Sequence, residues 1–277
     1  MLIDTHAHLN FKAFRKDLDN TLWKAREAGV GRIIVPGADL ETSKRAVELA
    51  RSYETIYAAV GIHPHHAKEI KKLETEKLKE NLKRLAKNNK VVAIGECGLD
   101  YYQYKKSKDR DYLESDGLKV DKNLKKIQKE IFKIHLELAQ ALKLPVIFHC
   151  REAQEDMKKS LKGLKFKGLK GVFHCFSGDE KFLKWVLKKG FSVGFDGNIT
   201  YNEKWQKIIK KTPIRKILLE TDAPLLIPEP LKSQKKFPNK PENIKVIAEF
   251  IAKIKGDSLL RVARQTTKNA KELFQLV

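Results

Sequence analysis

The chain has 277 residues and a formal net charge of +22, and its three cysteines show no CxxC spacing, which argues against a disulfide framework or a cysteine zinc site. No apolar stretch approaches membrane-spanning length and no cleavable leader follows Met1, so we expect no membrane association and a cytoplasmic location. The positive charge attracts polyanions such as nucleic acid, although a lysine-rich solvated surface also explains it.

Short apolar runs alternate with amphipathic helical stretches along the chain, which is the pattern of a parallel sheet built from βα units. Helix signals include Asp39 and Asp257 as N-caps, Gly29 after a helix, and apolar residues at helical spacing between Asp121 and Lys143. No linker-like composition or repeat divides the chain, and we expect one domain over residues 1–277. The eight predicted strands are Leu2–His8, Arg32–Pro36, Ile56–Ile62, Val91–Glu96, Pro145–His149, Gly171–His174, Phe191–Phe195 and Lys216–Asp222.

Eight strands, each followed by helical structure, predict a (β/α)₈ TIM barrel, with a doubly wound sheet as the alternative. Several of these strands end in side chains that bind metals. Chemistry in a TIM barrel gathers at the carboxyl ends of the strands, which favours the barrel. The candidate ligands are His6, His8, Glu96, His149, His174 and Asp222.

The candidate ligands are imidazoles and carboxylates, which hold divalent ions such as Mg²⁺, Mn²⁺ or Zn²⁺. His6 and His8 alternate on the first predicted strand, so we expect both to face the same side. Two ions need a shared carboxylate, and Glu96 at the end of the fourth strand is predicted to bridge them. One ion would take His6, His8, Glu96 and Asp222, and the other would take Glu96, His149 and His174.

A pair of divalent ions acidifies a bound water and stabilises the attacking and leaving oxygens of a displacement. The ligand set therefore predicts metal-assisted hydrolysis. Asp222 is expected to combine metal binding with acceptance of the proton from the attacking water, and Glu96 is expected to be catalytic as the bridge.

Six motifs follow one another along the chain: Asp4-Thr-His-Ala-His8, Gly61-Ile-His-Pro-His65, Gly95-Glu-Cys-Gly-Leu-Asp100, His149-Cys-Arg-Glu-Ala153, His174-Cys-Phe-Ser-Gly178 and Glu220-Thr-Asp-Ala-Pro224. With these motifs the chain resembles, over essentially its whole length, the TatD-type metal-dependent hydrolases, which are deoxyribonucleases on an amidohydrolase-like barrel. The resemblance implies the same six ligands, and it implies that His63 lies near the metals or the substrate phosphate. It also implies phosphodiesters of DNA or RNA as substrate, with exonuclease action.

The chain departs from the family pattern in three places. The segment Lys105–Glu130 is longer and more charged than expected. His135 stands where the family often has glutamine, and we predict a hydrogen-bonded core histidine. The approach to Asn239-Lys-Pro241 lacks the arginine-rich form expected there, so the resemblance supports no substrate contact at that position.

Other residues near the predicted site have two interpretations each. Arg151, two residues after His149, would bind a substrate phosphate or form a salt bridge with Glu96 or another acidic ligand. His63 would contact substrate or pack, and His65 would cap the next element or face solvent. The tyrosines 101, 102 and 104 would stack on bases or pack under a loop.

Basic residues after strands four and eight fall on the predicted active face and would follow a nucleic-acid backbone. The run Lys158–Lys170 precedes strand six, so we predict a solvated surface on the opposite face. The active-face residues are Lys105, Lys106, Lys108, Arg110, Lys232, Lys235, Lys236 and Lys240.

The preferred prediction is a divalent-metal phosphodiesterase that cleaves DNA by a two-metal activated water. An aminoacyl-tRNA deacylase would use the same metals against a carboxylic ester, and a non-catalytic nucleic-acid-binding protein would use only the positive charge. The sequence leaves the oligomeric state open and is compatible with a monomer.

Overall fold

The eight strands form one parallel sheet in a computed structural model that describes residues 1–70, 75–104, 119–162 and 168–276. Neighbours in the sheet follow chain order from first to last, which confirms the TIM barrel, whereas a doubly wound sheet reverses its strand order. The strands are β1 Leu2–Asp4, β2 Val30–Pro36, β3 Ile56–Val60, β4 Val91–Asp100, β5 Val146–Arg151, β6 Gly171–Phe173, β7 Ser192–Phe195 and β8 Ile217–Leu219.

Helices surround the sheet, and several begin at the predicted caps. Asp39 forms a capping box with Thr42, and Asp121 accepts a hydrogen bond from the backbone N–H of Leu124. The prediction of Asp257 as the last cap is wrong, because Ser258 accepts from the N–H of Arg261. The helices within the described ranges are α1 Leu18–Glu27, α2 Leu40–Ser52, α3 Thr75–Ala86, α4 Lys122–Leu142, α5 Gln154–Lys162, α6 Glu180–Lys188, α7 Lys204–Lys211, α8 Ile244–Lys255 and α9 Leu259–Phe274.

The first strand is shorter than predicted and ends at Asp4, so His6 and His8 lie just beyond it. The Asp4 carboxylate accepts the backbone N–H of His6 at 3.2 Å, and this side-chain bond takes the place of a strand ladder bond. Beyond β1 and β8, the N–H of Asp222 donates to the carbonyl of His6, and Ala7 forms an isolated bridge with Ala223. These bonds join the first and last strands and close the barrel.

An apolar layer lies beneath the polar end of the barrel. Ile147 and Val172 belong to one buried cluster, and His149 and His174 follow them by two residues. Because side chains alternate along a strand, the imidazoles and these aliphatic groups share the inner face. Within the described ranges, no helix is both long and apolar enough to cross a membrane.

Candidate metal centre

All six predicted metal ligands meet at the carboxyl end of the barrel. Glu96 lies within β4 and His149 within β5, and the other four follow the ends of their strands. All except His149 are buried, and His149 is only partly exposed. The structure therefore brings together the side chains that the strand-end argument predicts, even though His6 and His8 lie past their strand.

The first ligand group, which we call the β1/β8 group, contains His6, His8 and Asp222. The Nε2 atom of His6 lies 3.2 Å from Nε2 of His8 and 3.2 Å from Oε2 of Glu96. Asp222 Oδ1 lies 3.7 Å from the His6 nitrogen and 3.4 Å from the His8 nitrogen. Ligand atoms in a tetrahedral zinc site lie about 3.4 Å apart, so these four atoms have the spacing of ligands.

The second ligand group, which we call the β4–β6 group, contains His149 and His174. Oε1 of Glu96 lies 2.7 Å from Nδ1 of His149 and 2.6 Å from Nε2 of His174, and the two nitrogens are 3.0 Å apart. The other oxygen of Glu96 faces the β1/β8 group. Each oxygen of this carboxylate therefore faces a different set of nitrogens.

The ligands differ in their electrostatics: the pKa values of His6, Glu96 and Asp222 are lowered, whereas the carboxylates beside His149 and His174 outweigh burial and raise the pKa of both imidazoles. Burial lowers the pKa of His6 to about 4, so its imidazole is neutral at pH 7. Burial raises the pKa of Glu96, but the surrounding imidazoles, His174 first, outweigh it and hold the pKa well below its usual range. For Asp222, the hydrogen bond with His8 and the charge of His6 likewise outweigh burial and lower the pKa. Ionised carboxylates beside the neutral imidazole of His6 fit a divalent ion, and a metal bound by His149 and His174 would displace a proton from each imidazole.

Backbone strain marks the end of β8. Asp222 has φ 52°, a left-handed conformation that is uncommon for a residue with a side chain. The preceding Thr221 donates its N–H to Asp4 Oδ1 at 3.0 Å and its hydroxyl to Asp4 Oδ2 at 2.6 Å. These bonds and the bond from Asp222 to the His6 carbonyl hold the strained residue, as is common at functional sites.

His63 lies beside the β4–β6 group. It precedes a 3-10 helix, Pro64–Glu69, and its Nδ1 accepts the backbone N–H of His65 at 3.2 Å. Burial lowers the pKa of His63 well below its usual value, so the ring is neutral and its proton is on Nε2. That nitrogen lies 3.2 Å from Nδ1 of His149 and 3.4 Å from Oε1 of Glu96. His63 therefore presents an N–H donor to the centre.

Arg151 ends β5 and is exposed at the same end of the barrel. Its guanidinium lies over Tyr102 at 4.2 Å and donates to the Tyr104 hydroxyl at 3.1 Å. Within the described part of the chain, no carboxylate lies within ion-pair distance of Arg151, so the predicted salt bridge to Glu96 is absent. Tyr101 packs instead, with its hydroxyl donating to Asp156 at 2.8 Å.

Asp100 was missed by the sequence analysis, and the prediction that His65 caps or faces solvent was wrong. Asp100 ends β4 and is buried, and its Oδ2 lies 3.0 Å from Nε2 of His149 and 2.8 Å from Nε2 of His65. Burial raises the pKa of Asp100, but hydrogen bonds from these two imidazoles lower it far more. Its even spacing from Glu96 along the strand was the available signal.

The basic residues on the active face divide into two sets. Lys232 lies over the ring of Tyr201 at 3.5 Å, and Lys240 pairs with Asp17 at 3.5 Å. Lys235 and Lys236 are exposed. The predicted contacts after strand four, at positions 105, 106, 108 and 110, lie outside the described residues, as does part of the run 158–170.

A TIM barrel with imidazole and carboxylate ligands at its carboxyl end defines the class of metal-dependent hydrolases. The sequence model of the family described as TatD related DNase matches residues 3–275, and the chain belongs to this family. It is a hydrolytic enzyme.

Individual relatives agree with this assignment over their full lengths. The chain is 37% identical to the uncharacterized metal-dependent hydrolase YabD of Bacillus subtilis, covering 100% of both chains. It is 33% identical to the 3'-5' ssDNA/RNA exonuclease TatD of Erwinia tasmaniensis, covering 99% of this chain and 100% of that one. Among solved structures, YjjV, a TatD homolog from Escherichia coli, has a TM-score of 0.85 at 30% identity and covers 100% of this chain and 98% of that chain.

Proposed function

We propose that this protein hydrolyses phosphodiester bonds of DNA, as an exonuclease, at a centre of two divalent ions bridged by Glu96. The arrangement of Glu96 carries the proposal, because its Oε2 faces His6 and His8 while its Oε1 faces His149 and His174. Relatives named as single-stranded DNA and RNA exonucleases support nucleic acid as the substrate. Mg²⁺, Mn²⁺ and Zn²⁺ all suit the ligand set.

Two bound divalent ions supply an acidified water and neutralise charge on the reacting phosphate. Asp222 is the proton acceptor, because its carboxylate is ionised and lies among the β1/β8 ligands. His63 donates its Nε2–H to a phosphate oxygen, a role that its neutral tautomer permits. These residues activate the water and orient the phosphate without a covalent intermediate.

Arg151 is the second phosphate contact. A guanidinium binds phosphate with two parallel hydrogen bonds, and its charge must not already be neutralised by a carboxylate. Tyr102 and Tyr104 hold the Arg151 side chain from two sides, which reduces the entropy lost on binding. The net charge of +22 adds long-range attraction for a polyanion.

The test is hydrolysis of end-labelled single- and double-stranded DNA by metal-stripped protein, restored with Mg²⁺, Mn²⁺ or Zn²⁺. Labels at each end report the polarity of cleavage. Glu96→Gln should lower the restored rate by more than ~100-fold. Loss of an outer-shell partner of a metal ligand lowers activity by up to about 100-fold, and loss of a bridging ligand should lower it further. Glu137→Gln, a partly exposed residue of α4 that pairs with Lys79, is the matched control and should cleave normally.

Each alternative predicts a different result. Release of the amino acid from charged tRNA without DNA cleavage would support the deacylase. Absence of cleavage with every metal, together with DNA binding that Glu96→Gln leaves intact, would support a non-catalytic binding protein. Cleavage by Glu96→Gln at the wild-type rate would contradict the bridged centre.

A further inference from the structure

We infer that Asp100 is a positioning residue that keeps the ring proton of His149 on Nε2 and so directs the Nδ1 lone pair into the metal centre. The inference rests on the proposed two-ion centre and assigns a role to a residue outside the ligand set. Asp100 would thereby act on the β4–β6 group and leave the β1/β8 group unaffected.

His149 lies between two carboxylates. Its Nδ1 is 2.7 Å from Glu96 Oε1 and its Nε2 is 3.0 Å from Asp100 Oδ2. A neutral imidazole has one proton, and the nitrogen without it can bind a metal. If Glu96 and Nδ1 of His149 held a cation, the ring proton would be excluded from Nδ1 and would lie on Nε2, where Asp100 accepts it.

Asp100 accepts hydrogen bonds at both of its carboxylate oxygens. Its Oδ2 lies 2.8 Å from His65 Nε2 and accepts from the Tyr104 hydroxyl at 2.8 Å, in addition to the bond from His149. Its Oδ1 accepts the backbone N–H of Tyr102 at 3.0 Å. Four donors therefore surround this ionised carboxylate, three at Oδ2 and one at Oδ1.

The sheet and helix α4 fix Asp100 relative to His149. In the β4–β5 ladder, Gly98 lies opposite His149 and Asp100 opposite Arg151. A Cβ on Gly98 would lie 1.9 Å from the His149 carbonyl oxygen, so the strands approach as closely as they do only with glycine. Gln128 of α4 accepts from the N–H of Asp100 at 3.0 Å and donates to its carbonyl at 3.1 Å. The acceptor is therefore held in place before any ion binds.

Asp100→Asn keeps the shape of the side chain but replaces one acceptor oxygen with an N–H donor. Four donors surround this side chain, so the NH₂ group of the amide must face at least one of them and cannot accept its hydrogen bond. We expect Co²⁺ titration, followed by absorbance and calorimetry, to show that one of two equivalents binds about 10–100-fold more weakly, with the other unchanged. Tyr104→Phe is the matched control, because it removes one donor to the same oxygen and leaves the His149 bond; both Co²⁺ affinities should remain within about twofold.

A second measurement needs no variant of Asp100. In ¹⁵N-histidine-labelled protein loaded with Zn²⁺, long-range ¹H–¹⁵N spectra report which ring nitrogen of His149 carries hydrogen, and His149→Gln assigns the signal. We expect hydrogen on Nε2 alone. Hydrogen on Nδ1, alone or together with Nε2, would overturn the inference even if the Asp100 variant does not fold.

The remaining outcomes separate this inference from the proposed function. Unchanged Co²⁺ affinities in folded Asp100→Asn would overturn the positioning role, and so would a third Co²⁺ equivalent in the wild type that the variant loses, since Asp100 would then be a ligand. Binding of a single Zn²⁺ would contradict the bridged centre. The NMR spectra would still show which ring nitrogen of His149 carries hydrogen, so the inference and the proposed function are tested separately.

Discussion

The two ligand groups share Glu96 but are supported in different ways. In the β1/β8 group a buried carboxylate acts on the backbone: Asp4 accepts the N–H groups of His6 and Thr221 and the hydroxyl of Thr221. In the β4–β6 group a buried carboxylate acts on side chains, since Asp100 bonds to His149 and His65. Within the described residues, the Nδ1 atoms of His6, His8 and His174 have no hydrogen-bond partner, whereas Nε2 of His149 bonds to Asp100.

Sheet pairing explains the difference. β1 and β8 have three residues each and meet through a few bonds beyond their ends, so the backbone there needs Asp4 to hold it. β4 and β5 remain paired as far as Asp100 and Arg151, which leaves the Asp100 side chain available to orient imidazoles. In the proposed two-ion centre, one metal position would therefore depend on backbone closure and the other on the tautomer of a histidine.

Removing the proton acceptor of the β1/β8 group should have the largest effect. Asp222→Asn should lower kcat on DNA by about 10³-fold, because an amide cannot accept the proton of the attacking water. KM should change much less, since Arg151 and His63 remain. Stopped-time hydrolysis with saturating metal measures both constants.

The Asp222 prediction also separates the two groups. Zn²⁺ titration of Asp222→Asn should retain the equivalent held by the β4–β6 group. Asp19→Asn, an exposed aspartate on α1, serves as the matched control. A kcat equal to that of the wild type would show that another group accepts the proton.

The next effect concerns acid stability on the β4–β6 side. His135 of α4 is buried, accepts the N–H of Ile62 on Nε2 at 2.9 Å and donates Nδ1–H to the Ile131 carbonyl at 2.8 Å. This confirms the predicted hydrogen-bonded core histidine. Its Nε2 binds the backbone of Ile62, the residue directly before His63. Burial lowers the pKa of His135 from 6.5 to about 4. As the pH falls from 6.5 to 4 the unfolded chain takes up the proton first, so the native state loses stability.

For this histidine the native state loses about 3 kcal/mol of unfolding free energy, with none of the loss above pH 6.5 and all of it below pH 4. Urea denaturation of metal-free wild type and His135→Gln over that range measures the difference between them. The wild type should lose about 3 kcal/mol relative to the glutamine variant. Parallel pH profiles for the two proteins would contradict the assignment.

The sequence predicts the barrel and the convergence of the six candidate ligands, because each of them closes an apolar run and strand ends converge in this fold. The sequence does not predict the contact between Asp100 and His65. This contact joins the end of β4 to the segment after β3, and residue spacing within one strand carries no information about a contact between two segments. The early end of β1 was also missed. It depends on the hydrogen bond from the His6 N–H to the Asp4 carboxylate, and Asp4 is held by Thr221, which lies 217 residues away in the sequence. The single domain over residues 1–277 stays a prediction.

The smallest effect tests the closure of the barrel. Thr221→Val removes the hydroxyl that donates to Asp4 and should cost about 2 kcal/mol of unfolding free energy at pH 8. Burial raises the pKa of Asp4 to about 7, so its carboxylate is ionised at pH 8. At that pH the Thr221→Val substitution removes a charge-assisted hydrogen bond. At pH 6 Asp4 is mostly protonated, and the stability cost of the substitution should be smaller.

Thr266→Val is the matched control for this substitution. Thr266 is equally buried, but its hydroxyl donates to the Val262 carbonyl within α9, so its loss should cost less than about 1 kcal/mol. In Zn²⁺ titrations Thr221→Val should weaken only the equivalent held by the β1/β8 group, because Asp4 supports the backbone of His6 and Asp222. Equal weakening of both equivalents would show that the two groups share their support, and the distinction between backbone closure and histidine tautomer would not hold.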